Sequence, residues 1–301
     1  MKGIIIRAQS GFFTVKTGDG VVVCHLRGRL KQGSRQGDLA SIGDGVEVNI
    51  VEGTNGIIEE IYPRQRALVR LAPGSQGAYQ QVITANPDQA AFVFACKQPE
   101  LRLGLLDRFL VMAERQRIPS VIVVNKIDLI AADEQMPIGF YASLGYPVFY
   151  ISARSGLGIA ALCAHLTDKI TVFAGPSGVG KSTLLNTLIP GISLQTSEVS
   201  PATQKGRHKT VVREMYPLPM GGFVVDTPGL KALGLWDIDP QELDGYFPEM
   251  RDLVNQCQFN DCTHVHEPGC AILKAIEKGQ IYASRYESYV RMRLSQEDEI
   301  G

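Results

Sequence analysis

Residues Gly175-Pro176-Ser177-Gly178-Val179-Gly180-Lys181-Ser182-Thr183 carry the spacing G-x-x-x-x-G-K-[ST]. The run follows an apolar stretch, Thr171 to Ala174, and opens a helical one, Lys181 to Ile189. Glycines there let backbone N–H groups turn inward around a phosphate without Cβ clashes. The helix that follows presents its positive end to the anion. Lys181 can reach β- and γ-phosphates, and Ser182 can offer a hydroxyl to Mg²⁺. The bland alternative is a glycine-rich strand–helix turn, which this context disfavours. By itself the motif says nucleoside triphosphate and leaves the base open.

The base is addressed earlier in the chain. Asn125-Lys126-Ile127-Asp128 closes the apolar run Val121 to Val124, where parallel sheets place ligand contacts. A carboxylate such as Asp128 can accept from guanine N1–H and the N2 amino group, a donor pair adenine lacks. Asn125 can tie this loop to the phosphate loop, and the Lys126 stem can lie over the base. Ser152-Ala153 ends a further apolar run and can bring a backbone N–H to guanine O6. A four-residue match of this kind is weak alone and strong beside a phosphate loop. The base motif precedes the phosphate loop, so the order is circularly permuted. An ATPase is countered by Asn125 to Asp128.

Asp226-Thr227-Pro228-Gly229 follows the strand-like Phe223 to Val225. Asp226 can hold Mg²⁺ through water, and the Gly229 N–H can meet a γ-phosphate. Leu230 stands where Ras-like enzymes have a water-orienting Gln nearby, so another group or a partner must position water. Ser200 to Thr210 is expected to hold the switch segment between loop and sensor. Thr210 is the candidate second Mg²⁺ hydroxyl, with Thr203 its rival. His208 can titrate near neutrality. It suits either water activation or an RNA contact, and a plain loop histidine is the alternative.

Cys257, Cys262, His264 and Cys270 read C-x4-C-x-H-x5-C. Three thiolates and one imidazole form a closed tetrahedral set of the structural zinc type, with no open position for catalysis. His266 competes with His264 as fourth ligand. Three free thiols in a helical tail would be the alternative. A tail this short has little core, and metal binding would supply folding energy. Cys24, Cys96 and Cys163 sit among apolar neighbours and read as small buried hydrophobes.

These groups need elements to position them. The 301 residues suit two or three domains, and 45% hydrophobic content suffices for real cores. With 30 basic and 31 acidic side chains the net charge is −1, so nucleic-acid contact must rely on local patches. No apolar run approaches the roughly 18 residues of a membrane span, nor is there a signal-peptide run at the start. A cytoplasmic location is the default. Five strand-like runs, Gly3–Ala8, Phe12–Lys16, Val21–Leu26, Val46–Val51 and Gly56–Ile61, predict a small barrel over residues 1–70. The OB type is expected, with SH3-like as rival. Arg27, Arg29, Lys31 and Arg35 lie in one loop-like stretch that suits either solvent or a phosphate backbone. Residues 71–80 read as a linker. Across 81–235 buried runs alternate with amphipathic helices, which predicts a mostly parallel α/β sheet covered on both faces. Residues 236–301 are expected to form a mostly helical zinc-binding domain.

Taken together, Asn125 to Asp128, the phosphate loop, Lys205-Gly206-Arg207-His208, Asp226 to Gly229 and the cysteine set make the chain resemble the RsgA/YjeQ family of bacterial GTPases. The resemblance spans nearly the whole chain. It implies GTP hydrolysis with Mg²⁺, stimulation by the small ribosomal subunit, late 30S maturation and contact with 16S rRNA through barrel and tail. It also implies one structural zinc, favours His264 over His266, makes His208 the catalytic candidate and assigns Thr210 to Mg²⁺. Here Lys209 separates His208 from Thr210, where the family usually has consecutive threonines. A monomer is expected. The rival readings are a nucleotide-gated RNA-binding module with incidental hydrolysis, and a GTPase of large-subunit assembly.

Overall fold

The computed structural model describes residues 1–31, 38–71, 80–131, 134, 136–192, 213–226 and 238–294. Strands β1 (Lys2–Gln9), β2 (Phe12–Thr17), β3 (Gly20–Leu26), β4 (Gly45–Glu52) and β5 (Asn55–Ile61) pair in the order β1-β2-β3-β5-β4. The β4–β1 pairing closes the ring, and β3 runs parallel to β5. Alternation drives this closure. Phe13 and Val15 on β2, Val22, Cys24 and Leu26 on β3, and Val46 and Val48 on β4 point inward and are buried. Outward residues such as Lys16 and His25 stay exposed. This is the five-strand barrel the sequence calls for, without a free sheet edge inside it.

Sequence reading passes over two strands. β6 (Ala67–Leu71) and β7 (Gln80–Ala85) form an antiparallel ribbon, with Leu71 facing Gln80. The stretch 71–80, expected to be a linker, therefore begins and ends in paired strand. Arg64 anchors this ribbon to the barrel. Its Nε and Nη2 donate to the two oxygens of fully buried Asp44 at 2.7 Å each. Such a fork-to-fork pair fixes orientation as well as charge.

The second sheet contains β8 (Gln89–Ala95), β9 (Ser120–Asn125), β10 (Val148–Tyr150), β11 (Ile170–Ala174), β12 (Arg213–Pro217) and β13 (Phe223–Asp226). Its order is β10-β9-β8-β11-β13-β12, parallel throughout except for β12. β8 and β9 are buried along their whole lengths, as strands covered on both faces must be. Phe92 and Phe94 pack under helix α1 (Leu103–Arg115). Ala91, Val93 and Ala95 pack on the other face against α2 (Ile159–Leu166) and α3 (Lys181–Leu188). β12 also pairs with barrel strand β1, so one ladder joins barrel to sheet. β12 is absent from the sequence reading because its residues neither alternate cleanly nor form an apolar run. Among the described residues no helix is long and apolar enough to cross a membrane.

The C-terminal region is helical: α4 (Pro248–Arg251), α5 (Ala271–Glu277) and α6 (Ala283–Arg293). It docks on a second face of α1. Asp107, Val111 and Glu114 share that face at helical spacing. Val111 enters the tail core with Phe247, Met250 and Tyr289, and Glu114 pairs with Arg251 at 3.0 Å. Between them lies a fully buried guanidinium. Arg285 donates to Asp107 Oδ1 at 2.6 Å and to both oxygens of Glu249 at 2.6 and 3.2 Å. Tyr141 donates to the same Asp107 oxygen at 2.5 Å, and Phe247 lies 4.5 Å beneath the guanidinium. Burial alone would weaken the Arg285 charge, but Asp107 and Glu249 more than offset it and push its pKa further up.

Removing one member leaves the others charged in a dry place. Arg285→Ala is expected to cost about 3–5 kcal/mol of stability, read from chemical denaturation. A loss below about 1 kcal/mol, the worth of an exposed pair, would contradict this account of the junction.

Candidate nucleotide site and metal centre

The strand order reverses beside β8 and β11, and ligand crevices of open α/β sheets form at such points. Asn125 ends β9, Gly175 follows β11 and Asp226 ends β13, so three of the motifs reach the same rim of the sheet. Gly175 has φ +152°, and a Cβ there would sit 2.0 Å from the Val93 carbonyl oxygen. Only glycine lets the chain leave β11 so close to β8. Gly180 has φ +89°, and a Cβ there would lie 2.5 Å from Asn125 Nδ2. The second glycine thus makes room for the base motif as well as for a phosphate.

Asn125 is buried and uses both ends of its carboxamide. Nδ2 donates to Val179 O at 2.9 Å, and Oδ1 accepts from Ala153 N at 3.0 Å. One side chain therefore holds together the phosphate loop and both base-side loops. Lys126, in the left-handed region at φ +66°, donates through Nζ to Gly178 O at 2.7 Å and to Gln98 O. Its stem runs along the phosphate loop, where the sequence reading would lay it against a base. Asp128 sits exposed in the short helical turn Ile127–Leu129.

Lys181 folds over its own loop. Its Nζ donates to Gly175 O at 2.7 Å and to Pro176 O at 2.6 Å. Burial lowers its pKa, while the Asp226 carboxylate works against that shift. Ser182 and Thr183 lie half-buried in the first turn of α3. Ser152 and Ala153 are both buried, and their amides are engaged within the protein. Ser152 N donates to Leu157 O at 2.9 Å, while Ala153 N serves Asn125. Gly229, His208, Thr210 and its rival Thr203 lie outside the described residues, as does Arg35 of the barrel loop. Two residues not anticipated join the site: Gln98, through its carbonyl, and Thr187. The Thr187 hydroxyl lies 2.9 Å from Thr183 O and 3.1 Å from Ala153 O, so its one hydrogen is shared between its own helix and the base loop.

In the tail, the ligand atoms of Cys257, Cys262, His264 and Cys270 all lie within 4.8 Å of one another. His264 Nδ1 is 3.5 Å from Cys257 Sγ and 3.4 Å from Cys270 Sγ, and the two sulfurs are 3.9 Å apart. With Zn–S near 2.3 Å and Zn–N near 2.0 Å, tetrahedral edges come to about 3.5–3.8 Å. The donor set and its spacing fit zinc. His264 Nε2 meets Asp244 Oδ2 at 3.0 Å, which fixes the ring and leaves Nδ1 facing the thiols. Exposed His266 is not in the cluster. The Ala271 N–H reaches Cys257 Sγ at 3.4 Å, and burial pushes the Cys262 thiol up to about 12. Glu267 ties the ligand loop by accepting from the amides of Thr263, Val265 and His266. Asp244 and Glu267 carried no signal in the sequence, since neither has ligand spacing.

A parallel sheet with a phosphate loop at its switch point, tied to a guanine-type motif that precedes it in the chain, defines a circularly permuted P-loop GTPase. The RsgA GTPase family description matches residues 61–236, and the RsgA N-terminal domain matches residues 2–58. The small ribosomal subunit biogenesis GTPase RsgA of Bacteroides fragilis is 38% identical over 99% of this chain and 98% of that protein. Its namesake from Gemmatimonas aurantiaca is 40% identical over 97% and 96%. The crystal structure of YjeQ from Thermotoga maritima superposes with TM-score 0.78 at 35% identity, covering 98% of this chain and 97% of that one. YloQ, a circularly permuted GTPase, gives 0.77 at 33% identity over 98% and 94%. The chain belongs to the RsgA GTPase family and is a GTP-hydrolysing enzyme.

Asn125→Ala strips partners from two buried backbone groups, Val179 C=O and Ala153 N–H. A loss of about 2–3 kcal/mol is expected, seen as a lower unfolding midpoint. An unchanged midpoint would show that the three loops hold together without the carboxamide.

Proposed function

We propose that this chain couples GTP hydrolysis to late maturation of the small ribosomal subunit, in the cytoplasm, with 16S rRNA as a contact. The observation that carries the reading is its 38–40% identity, over nearly its full length, to proteins named small ribosomal subunit biogenesis GTPases. The barrel (1–70), GTPase (81–235) and zinc tail (236–301) act as the three working parts.

Asp128 reads guanine N1–H and N2, while Lys126 covers the base. The amides of Gly175 to Thr183 cradle the phosphates, and Lys181 exchanges its two loop carbonyls for phosphate oxygens. Mg²⁺ would be held by Ser182, Asp226 through water, and Thr210, and would supply charge neutralisation at the β- and γ-phosphates. The Gly229 N–H senses the γ-phosphate. His208 positions and deprotonates the attacking water. The water oxygen bonds to the γ-phosphorus as the bond to the bridging oxygen breaks. Zinc at Cys257, Cys262, His264 and Cys270 would supply folding energy to the tail.

Barrel and tail contact RNA through local basic groups. The supporting charge on the barrel is modest. Exposed Arg27 and Arg29 both lean on Glu59, which partly neutralises them. Binding to RNA phosphates is expected to weaken with salt.

GTP turnover measured with and without purified 30S subunits tests the reading. Faster turnover with 30S is the expected result, and equal rates would sink the small-subunit assignment while leaving the GTPase intact.

A further inference from the structure

A cleft of about 400 Å³ opens where the GTPase body meets the tail. Glu114, Arg117, Ile118 and Pro119 line one wall, from the end of α1 to the start of β9. Gly245, Tyr246 and Arg251 of the tail line the other. Asn125 and the nucleotide rim stand at the far end of β9, roughly 17 Å away along that strand. The cleft is therefore separate from the nucleotide site. Apolar walls with a few convergent polar groups, in a space of this size, are the make-up of a small-molecule site.

The polar groups of the cleft are not balanced. Glu114 is spent: Oε1 accepts from Tyr146 at 3.1 Å, and Oε2 accepts from Arg251 Nη2 at 3.0 Å. Arg251 also donates through Nε to Gly245 O at 3.0 Å, which leaves Nη1 without a partner among the described residues. Arg117 is exposed, and its guanidinium has no partner among the described residues. One guanidinium and part of another thus stand in excess of a single, already bound acid. The backbone places Arg117 there under strain. The Ile118 N–H reaches Ala113 O at 2.9 Å and the Arg117 N–H reaches Glu114 O at 3.0 Å, the paired bonds of a Schellman stop to α1. Arg117 is the left-handed residue of that stop, at φ +54°. The helix end by itself would give this position to glycine.

We propose that the cleft is a second ligand site, which takes a small organic acid. The carboxylate or phosphate of the acid lies between Arg117 and Arg251 Nη1. Its apolar body lies on Ile118, Pro119 and the Tyr246 ring. The forked donors of a guanidinium suit either oxyanion. The two walls belong to different bodies, so an occupant also ties the tail to α1. This site and the ribosomal reading above can fail independently.

The test uses the full-length, isotopically labelled protein saturated with GDP and Mg²⁺, so that the phosphate loop is filled. Benzoate and phenyl phosphate are the probes, one for each acid group. Amide NMR shifts at Ile118, Gly245 and Tyr246 are expected, with a Kd on the order of 1 mM for so small a probe. Arg117→Gly removes the guanidinium and suits the left-handed backbone. It should bind the probe about tenfold more weakly, keep its GTP turnover, and unfold at the same or a higher midpoint. Binding of one probe alone supports the site and names its acid group. No shift at the cleft with either probe overturns the proposal. Equal affinity of Arg117→Gly and the wild-type protein overturns it too, and a lower midpoint in that case makes Arg117 purely structural.

Discussion

The nucleotide site depends on one carboxamide. Asn125 lies on a strand that precedes the phosphate loop by some fifty positions in the chain, yet its Nδ2 holds that loop at Val179 and its Oδ1 holds the second base loop at Ala153. An amide is required because the two neighbours have opposite needs: a carbonyl wants a donor and an N–H wants an acceptor. Aspartate in that place would set a carboxylate against the Val179 oxygen. Gly180 leaves the space the carboxamide occupies, and Thr187 braces the same loop from α3. In a permuted chain this contact replaces the usual sequence order with a spatial one. The site forms wherever the sheet brings β8, β9, β11 and β13 to one rim.

Helix α1 does for the domains what Asn125 does for the loops. One face packs Phe109 and Leu110 on the sheet, and another carries Asp107, Val111 and Glu114 into the tail. A buried ion network is not in general strongly stabilising against an apolar replacement. What it provides here is a single docking geometry, since Arg285 must satisfy Asp107 and Glu249 together while lying on Phe247. The covalent connection from Asp226 to the tail runs through residues outside those described. Arg285 and Arg251 fasten the tail to the GTPase body by side chains as well as by the chain itself. The barrel is fastened separately, through the β1–β12 ladder and the Arg64–Asp44 pair.

Much of this was readable from residue types alone. The phosphate loop, the base motif and the cysteine set announce themselves because their chemistry demands fixed spacing. Barrel strands and the buried strands β8, β9 and β11 follow from alternation and from continuous apolar runs. Other features are not local. β6, β7 and β12 have weak patterns and exist because a partner strand pairs with them. Asp244 and Glu267 serve the metal loop through contacts set by the fold, and nothing in their spacing marks them. Asp107 and Arg285 look like surface charges on helices until the helices meet.

In the proposed function, guanine nucleotide held at the rim organised by Asn125 governs a small-subunit partner. Co-sedimentation of the full-length protein with purified 30S subunits, in GDP and in a non-hydrolysable GTP analogue, tests it most directly. Pelleting with 30S in the analogue but not in GDP is the predicted result. Equal pelleting in both nucleotides, or in neither, would contradict it.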